Sequence, residues 1–115
     1  MHEMGLAAEI IRVVSEEAEA AGGTAVSVLR LRVGEWAGVE VESLRCALEA
    51  LGEDTLLAGC RVEVEKVPPL FRCGECKATY TGDGYFAPCA HCGAFGGELV
   101  QGDELTVAEL EVEEA

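Results

Sequence analysis

Positive charge is scarce in this chain. Only 8 of its 115 residues are Lys or Arg, against 22 Asp or Glu, a formal net charge of −14. Nucleic-acid affinity comes mostly from Lys and Arg on phosphates, so this balance argues against a nucleic-acid partner. It argues equally against adhesion to anionic membranes. Aromatic residues make up only 5% of the chain, so a core has to be built from Val, Leu, Ile and Ala. Long apolar runs are missing too. The stretch after Met1-His2-Glu3-Met4 is broken by Glu9 and Arg12, and no positive charge precedes it. It is neither a signal peptide nor a membrane span, and the expected compartment is the cytoplasm. Histidine occurs twice, as His2 and His91, with no nucleophile–base pattern around either, so no enzyme activity is expected. What is abundant is hydrophobic character, at 50% of residues, which argues against disorder. Six cysteines also stand out. In a reducing compartment they read as metal ligands or buried thiols before disulfides.

Hydrophobic periodicity predicts a helix over 4–21, with Leu6, Ile10, Val13, Val14 and Ala18 on one stripe and Gly22-Gly23 as the stop. A β-branched run predicts a strand over 24–33, ended by Gly34. A second helix is expected over 40–51, with Val41, Leu44, Leu48 and Leu51 aligned. Alternation predicts a strand over 60–67, after which Pro68-Pro69 breaks regular pairing, and a last strand over 105–112. From Leu70 to Glu98 the composition shifts to cysteine and glycine with little aliphatic character. The expected architecture is α/β (α+β), a small sheet of about three strands packed with two helices. One domain would span 1–69 and 99–115, with a zinc-ribbon-like module inserted over 70–98. The tail Glu111, Glu113 and Glu114 reads as a solvated acidic end.

Cys73-Gly74-Glu75-Cys76 and Cys89-Ala90-His91-Cys92 are separated by 12 residues. Each CxxC turn lets two thiolates reach one ion, and two such turns facing each other give a closed tetrahedral site. Gly93 follows the second pair, where a tight knuckle needs positive φ. Lys77 would soften the negative charge of an ion held by four thiolates. A segment this small has almost no core of its own, so metal binding must supply its folding energy, on the order of 10 kcal/mol for structural zinc. The ligands suit Zn²⁺, and a rubredoxin-like iron site has the same four. His91 reads as an exposed knuckle residue, since four thiolates already fill the shell. Cys46 and Cys60 read as small buried hydrophobes.

His2 is the other chemically suggestive residue. A histidine directly after a free terminal amine can chelate through the Met1 amine, its own amide nitrogen and its imidazole. The amide of Glu3 supplies a fourth corner. Amide nitrogens bind only when deprotonated, which Cu(II) and Ni(II) promote, and four nitrogens in a plane suit these two ions. Glu40 and Glu42 read as a solvated helix start rather than as metal ligands.

The opening MHEMGLAAEI, the segment RLRVGEWAGVEVESL, the paired CxxC units and the closing GDELTVAELEVE together resemble the hydrogenase-maturation nickel metallochaperone (HypA/HybF) family. The resemblance runs in order along nearly the whole chain. It implies a protein that binds Ni²⁺ as cargo at Met1, His2 and Glu3. It also implies structural Zn²⁺ at Cys73, Cys76, Cys89 and Cys92. The implied partners are a GTP-hydrolysing nickel-insertion accessory protein and the hydrogenase large-subunit precursor, and some members also serve urease. Gly5 stands where the family motif has serine. A serine there would cap the first helix, so a start weaker by about a few tenths of a kcal/mol is expected. Two other readings stay open on the residues alone. A rubredoxin-like electron carrier would carry iron and a visible absorption band. A zinc-ribbon interaction module that bound nucleic acid would show steep salt dependence.

Overall fold

The computed structural model describes residues 2–82, 84 and 86–114, and Met1 lies outside the described residues. The elements run α1 (His2–Ala20), β1 (Gly23–Gly34), α2 (Val41–Gly52), β2 (Arg61–Val67), β3 (Leu70–Arg72), β4 (Thr79–Tyr80), β5 (Glu98–Gln101) and β6 (Leu105–Glu114). Two helices with small sheets make an α+β fold, as the sequence predicts. The chain groups into two compact units. The first holds Met1–Arg32, Val39–Glu65 and Thr106–Ala115, and the second Val33–Gly38 and Lys66–Leu105.

In the first unit α1 packs on α2. The buried stripe of α1 is Ala7, Ile10, Ile11, Val14 and Ala18, one residue round the helix from the predicted one, and Val13 is exposed. In α2 the buried residues are Leu44, Ala47, Leu48 and Gly52, and Leu51 is exposed. The apolar arc of each helix is wider than the face that is covered. Both covered faces include buried alanines, whose small side chains let packed helices approach closely. With Val26, Val28, Leu29, Leu31 and Leu57 these residues form an aliphatic core, as the scarcity of aromatics predicts.

The first sheet has the order β2-β1-β6. Arg30 bonds Glu63 and Arg32 pairs with Glu65, so the partners on β1 and β2 advance together and the strands are parallel. A parallel pair needs a crossover, and α2 provides it. Thr24 and Ser27 donate to the carbonyls of Glu113 and Glu111, so β1 and β6 run in opposite senses. Glu111 lies in this strand, as the reading over 105–112 has it, and pairs with Arg30; the strand also takes in Glu113 and Glu114, which the sequence leaves in a solvated acidic end.

The second unit has its own small sheet, β4-β3-β5, antiparallel throughout, with Phe71 opposite Tyr80 on one side and Leu99 on the other. Pairing resumes at Leu70, directly after Pro68-Pro69. The unit also has a core, which the composition did not lead us to expect: Phe71, Tyr80, Cys73 and Cys89 are buried, with Trp36 and Leu99 packed against them. Trp36 meets Phe71 edge-on at 5.5 Å, and Phe71 stacks on Tyr80 at 5.6 Å. Half of the chain's six aromatic residues are concentrated here. Trp36 is brought in by the chain leaving β1, where its N–H donates to the Gly102 carbonyl at 2.7 Å.

Gly34 and Gly102 lie back to back. A Cβ on Gly34 would fall 2.1 Å from the Gly102 carbonyl oxygen, and Gly102 itself sits at φ +119°. The obstacle is backbone, which cannot swing aside. Gly34→Ala is expected to destabilise the second unit by about 1–3 kcal/mol through overpacking. Thermal unfolding followed by Trp36 fluorescence checks this, and an unchanged midpoint would contradict it.

Candidate functional site

The two CxxC segments fold into the same loop twice. Cys73 N–H donates to Ala78 O at 2.8 Å and Lys77 N–H to Cys73 O at 3.1 Å. Cys89 N–H donates to Ala94 O at 2.8 Å and Gly93 N–H to Cys89 O at 2.9 Å. The residue after each pair is left-handed, Lys77 at φ 65° and Gly93 at φ 78°. Glycine takes this conformation freely, as predicted for Gly93. Lys77 does so while its ammonium donates across the knuckle to Gly74 O at 2.8 Å.

These loops bring the four sulfurs of Cys73, Cys76, Cys89 and Cys92 within 4.8 Å of one another. Cys73 Sγ lies 3.6 Å from Cys92 Sγ, and Cys76 Sγ 3.7 Å from Cys89 Sγ. A zinc ion with Zn–S bonds of about 2.3 Å in a tetrahedron places its sulfurs about 3.8 Å apart, so the donor set fits such an ion. Cys73 and Cys89 face the aromatic core, and Cys76 and Cys92 face solvent.

Backbone N–H groups prepare the sulfurs for charge. Those of Cys76 and Glu75 point at Cys73 Sγ, at 3.5 and 3.4 Å, and hold its thiol down to about 6. Burial pushes the Cys89 thiol up, but the N–H groups of Cys92 and His91 outweigh it and its pKa falls below the ordinary value. The N–H of Ala94 favours the Cys92 thiolate. The crowd of neighbouring sulfurs, Cys73 foremost, opposes it and drives that thiol up to about 11. Four thiols at such short range cannot all ionise without a cation between them.

His91 is exposed, and its backbone N–H, at 3.3 Å from Cys89 Sγ, is what touches the cluster. Cys46 and Cys60 stand apart from it. Cys60 is half-buried, and burial raises its thiol. Cys46 is exposed, contrary to the expectation of a buried thiol, because α2 buries the face that carries Leu44, Ala47 and Leu48 instead.

At the other end of the chain, His2 opens α1 and is exposed. Its Nδ1 lies 3.4 Å from Glu3 Oε2. The same carboxylate oxygen accepts the Glu40 N–H at 3.1 Å. That bond above all, then its own backbone N–H and His2, hold the Glu3 carboxyl below the usual carboxylate range. Glu40 caps α2, accepting from the N–H groups of Glu42 and Ser43 at 3.2 Å each. This is the solvated helix start that the sequence predicts. Glu3 thus joins the starts of the two helices. Gly5 lies inside the first turns of α1 and not at its cap, so serine's capping role is not available at this position.

Among the described residues no helix is long and apolar enough to cross a membrane. Residues 1–112 match the family described as hydrogenase/urease nickel incorporation, metallochaperone, HypA. The hydrogenase maturation factor HypA of Geotalea uraniireducens is 38% identical over 113 residues, covering 98% of this chain and all of that protein. Its counterpart in Azotobacter vinelandii is 40% identical with the same coverage. Among solved structures, the Ni metallochaperone HypA from Helicobacter pylori superposes with a TM-score of 0.71 at 16% identity, covering 98% of each chain, a likeness of fold. The family is one of metallochaperones and not of enzymes. By the match over nearly its whole length, the chain belongs to the HypA family of hydrogenase maturation factors.

Proposed function

We propose that this protein binds Ni(II) at its amino terminus and delivers it during maturation of nickel–iron hydrogenase, while Cys73, Cys76, Cys89 and Cys92 hold a structural Zn²⁺. Met1 supplies its amine, His2 its amide nitrogen and imidazole, and Glu3 completes the site through its backbone. The observation that carries the reading is the position of His2: exposed, at the first residue of α1, with Nδ1 turned toward the side chain of Glu3. The first N–H groups of a helix have no carbonyl four residues back, so neither the His2 nor the Glu3 amide gives up a helical hydrogen bond on losing its proton to a metal; that of Glu3 gives up only its contact with its own carboxylate. The positive pole of a helix disfavours a bare cation there, and two deprotonated amides neutralise Ni²⁺.

A delivery protein needs one site that keeps its metal and one that yields it. Four sulfurs in a closed shell suit retention. A chelate of a few nitrogens at an exposed terminus suits stepwise exchange with an acceptor's ligands. An open groove of about 440 Å³ beside it, lined by Glu3, Met4, Glu40 and Cys46 among others, leaves room for those ligands. Acceptors in keeping with the family are a GTP-hydrolysing nickel-insertion accessory protein and the hydrogenase large-subunit precursor, in the cytoplasm.

The test is equilibrium dialysis of the untagged, zinc-loaded protein against Ni²⁺, beside its His2→Ala variant. His2→Ala is expected to lose high-affinity nickel and keep one zinc per chain. Undiminished nickel uptake by the variant would overturn the reading.

A further inference from the structure

The sheet of the first unit ends on β6, and among the described residues no strand pairs with its outer edge. Proteins blunt edge strands with proline, lysine, bulges or short length. β6 runs for ten residues, LTVAELEVEE, without proline, glycine or a basic residue. The opposite edge, β2, is shorter, carries Arg61 and Lys66, and is met by Arg45, which donates to the Val62 carbonyl. On β6 the carbonyls of Glu111 and Glu113 accept from side chains of β1, so they face inward. By the alternation of an antiparallel strand, the N–H and C=O groups of Leu110 and Val112 face outward.

Two further features describe what this edge accepts. A groove of about 280 Å³ runs between α1 and β6, lined by Val13, Glu17, Val107 and Leu110 among others. Val13 and Val107 are 38% and 39% exposed there. The strand also carries Glu109, Glu111, Glu113 and Glu114. Arg30 is shared between two of these and Glu63, so negative charge is in excess. A second copy of the chain is a poor occupant, because pairing β6 with β6 sets carboxylates against carboxylates. We infer that the β6 edge docks an extended segment of another protein in which apolar residues alternate with Lys or Arg, added as a fourth strand. Backbone bonds to the open edge give affinity, the groove takes the apolar side chains, and the glutamates select the basic ones.

The probe is a short synthetic peptide of alternating Lys and Val, beside a block isomer of the same composition with all Lys preceding all Val. Both are titrated into the full chain, zinc-loaded and free of nickel, so that the result is independent of the nickel reading. With the alternating peptide, amide exchange at Leu110 and Val112 is expected to slow by about tenfold or more. The amide signals of Val13 and Val107 should shift as well. The block isomer should give neither effect. Val107→Lys, which plants a positive guard on the edge, should abolish the protection. Val112→Pro, which removes an outward N–H, should do so without changing charge. Should Val112→Pro fail to fold, Val107→Lys decides. Equal effects of the two peptides would mean charge attraction alone and would overturn the inference. So would protection that survives Val107→Lys, or sedimentation showing that the edge is filled by a second copy.

Discussion

Cys89→Ser is expected to unfold the second unit and leave the helices of the first in place. The sulfur of Cys89 is buried in the aromatic cluster and is one corner of the four-sulfur shell. A serine hydroxyl does not ionise at neutral pH, so the ion would keep three thiolates and its affinity would collapse. A structural zinc contributes on the order of 10 kcal/mol or more to a small module. The core around the sulfurs amounts to Phe71, Tyr80, Trp36, Ala94, Leu99 and two cysteines, with Val33 and Val67 the unit's other buried aliphatics, and the strands of its own sheet are two to four residues long. A core that small does not replace the metal. The readout is built in, because Trp36 is the single tryptophan and packs on Phe71 within this unit. Its emission should shift to the red on substitution, or on removal of zinc by a chelator. The helical circular dichroism of α1 and α2 should stay. Acid should act like the chelator, since protons compete with zinc for the same sulfurs. A Cys89→Ser protein that kept its zinc and its Trp36 emission would show that the ion does not hold this unit together.

The second large effect is at the other end of the chain. Acetylating the Met1 amine should abolish high-affinity nickel binding and spare zinc. The modification removes one nitrogen from the proposed chelate and leaves His2, Glu3 and α1 in place. Losing a group that merely supports a metal ligand costs about 10–100-fold in affinity, so losing a donor should cost at least a hundredfold. Adding one residue before Met1 is a weaker test. It would place the imidazole third from a new amine and offer four nitrogens again, the planar set that Ni(II) accepts. Equilibrium dialysis of acetylated and free protein decides the matter. Equal nickel uptake by the two would remove the amine from the site and with it the reason for a terminal chelate. The acetyl group also favours the helix start, so loss of nickel cannot be charged to unfolding of α1.

The sequence by itself determined the elements that follow from local pattern. Both helices and the three longer strands are where periodicity places them, because a patterned stretch of seven residues or more is long enough to show its period and so which face it buries. The four-cysteine cluster was equally legible, since a CxxC turn dictates the direction of both sulfurs and Gly93 announces its left-handed corner. The family could be read from ordered motifs along the chain.

Tertiary structure decided what depends on residues far apart. β3, β4 and β5 are too short to show a period, and their pairing exists because Phe71 lies between Tyr80 and Leu99. Trp36 reads as part of a linker until the chain leaving β1 carries it onto Phe71. Which side of each helix is covered, leaving Val13, Cys46 and Leu51 in solvent, is set by the partner and not by the hydrophobic arc. The contact of Glu3 with Glu40 links the starts of two helices 37 residues apart, and no local rule reaches across that distance. A composition averaged over the chain also hid the fact that half of a few aromatic rings gather around two sulfurs. Local chemistry fixes what a segment becomes, and only packing fixes what it faces.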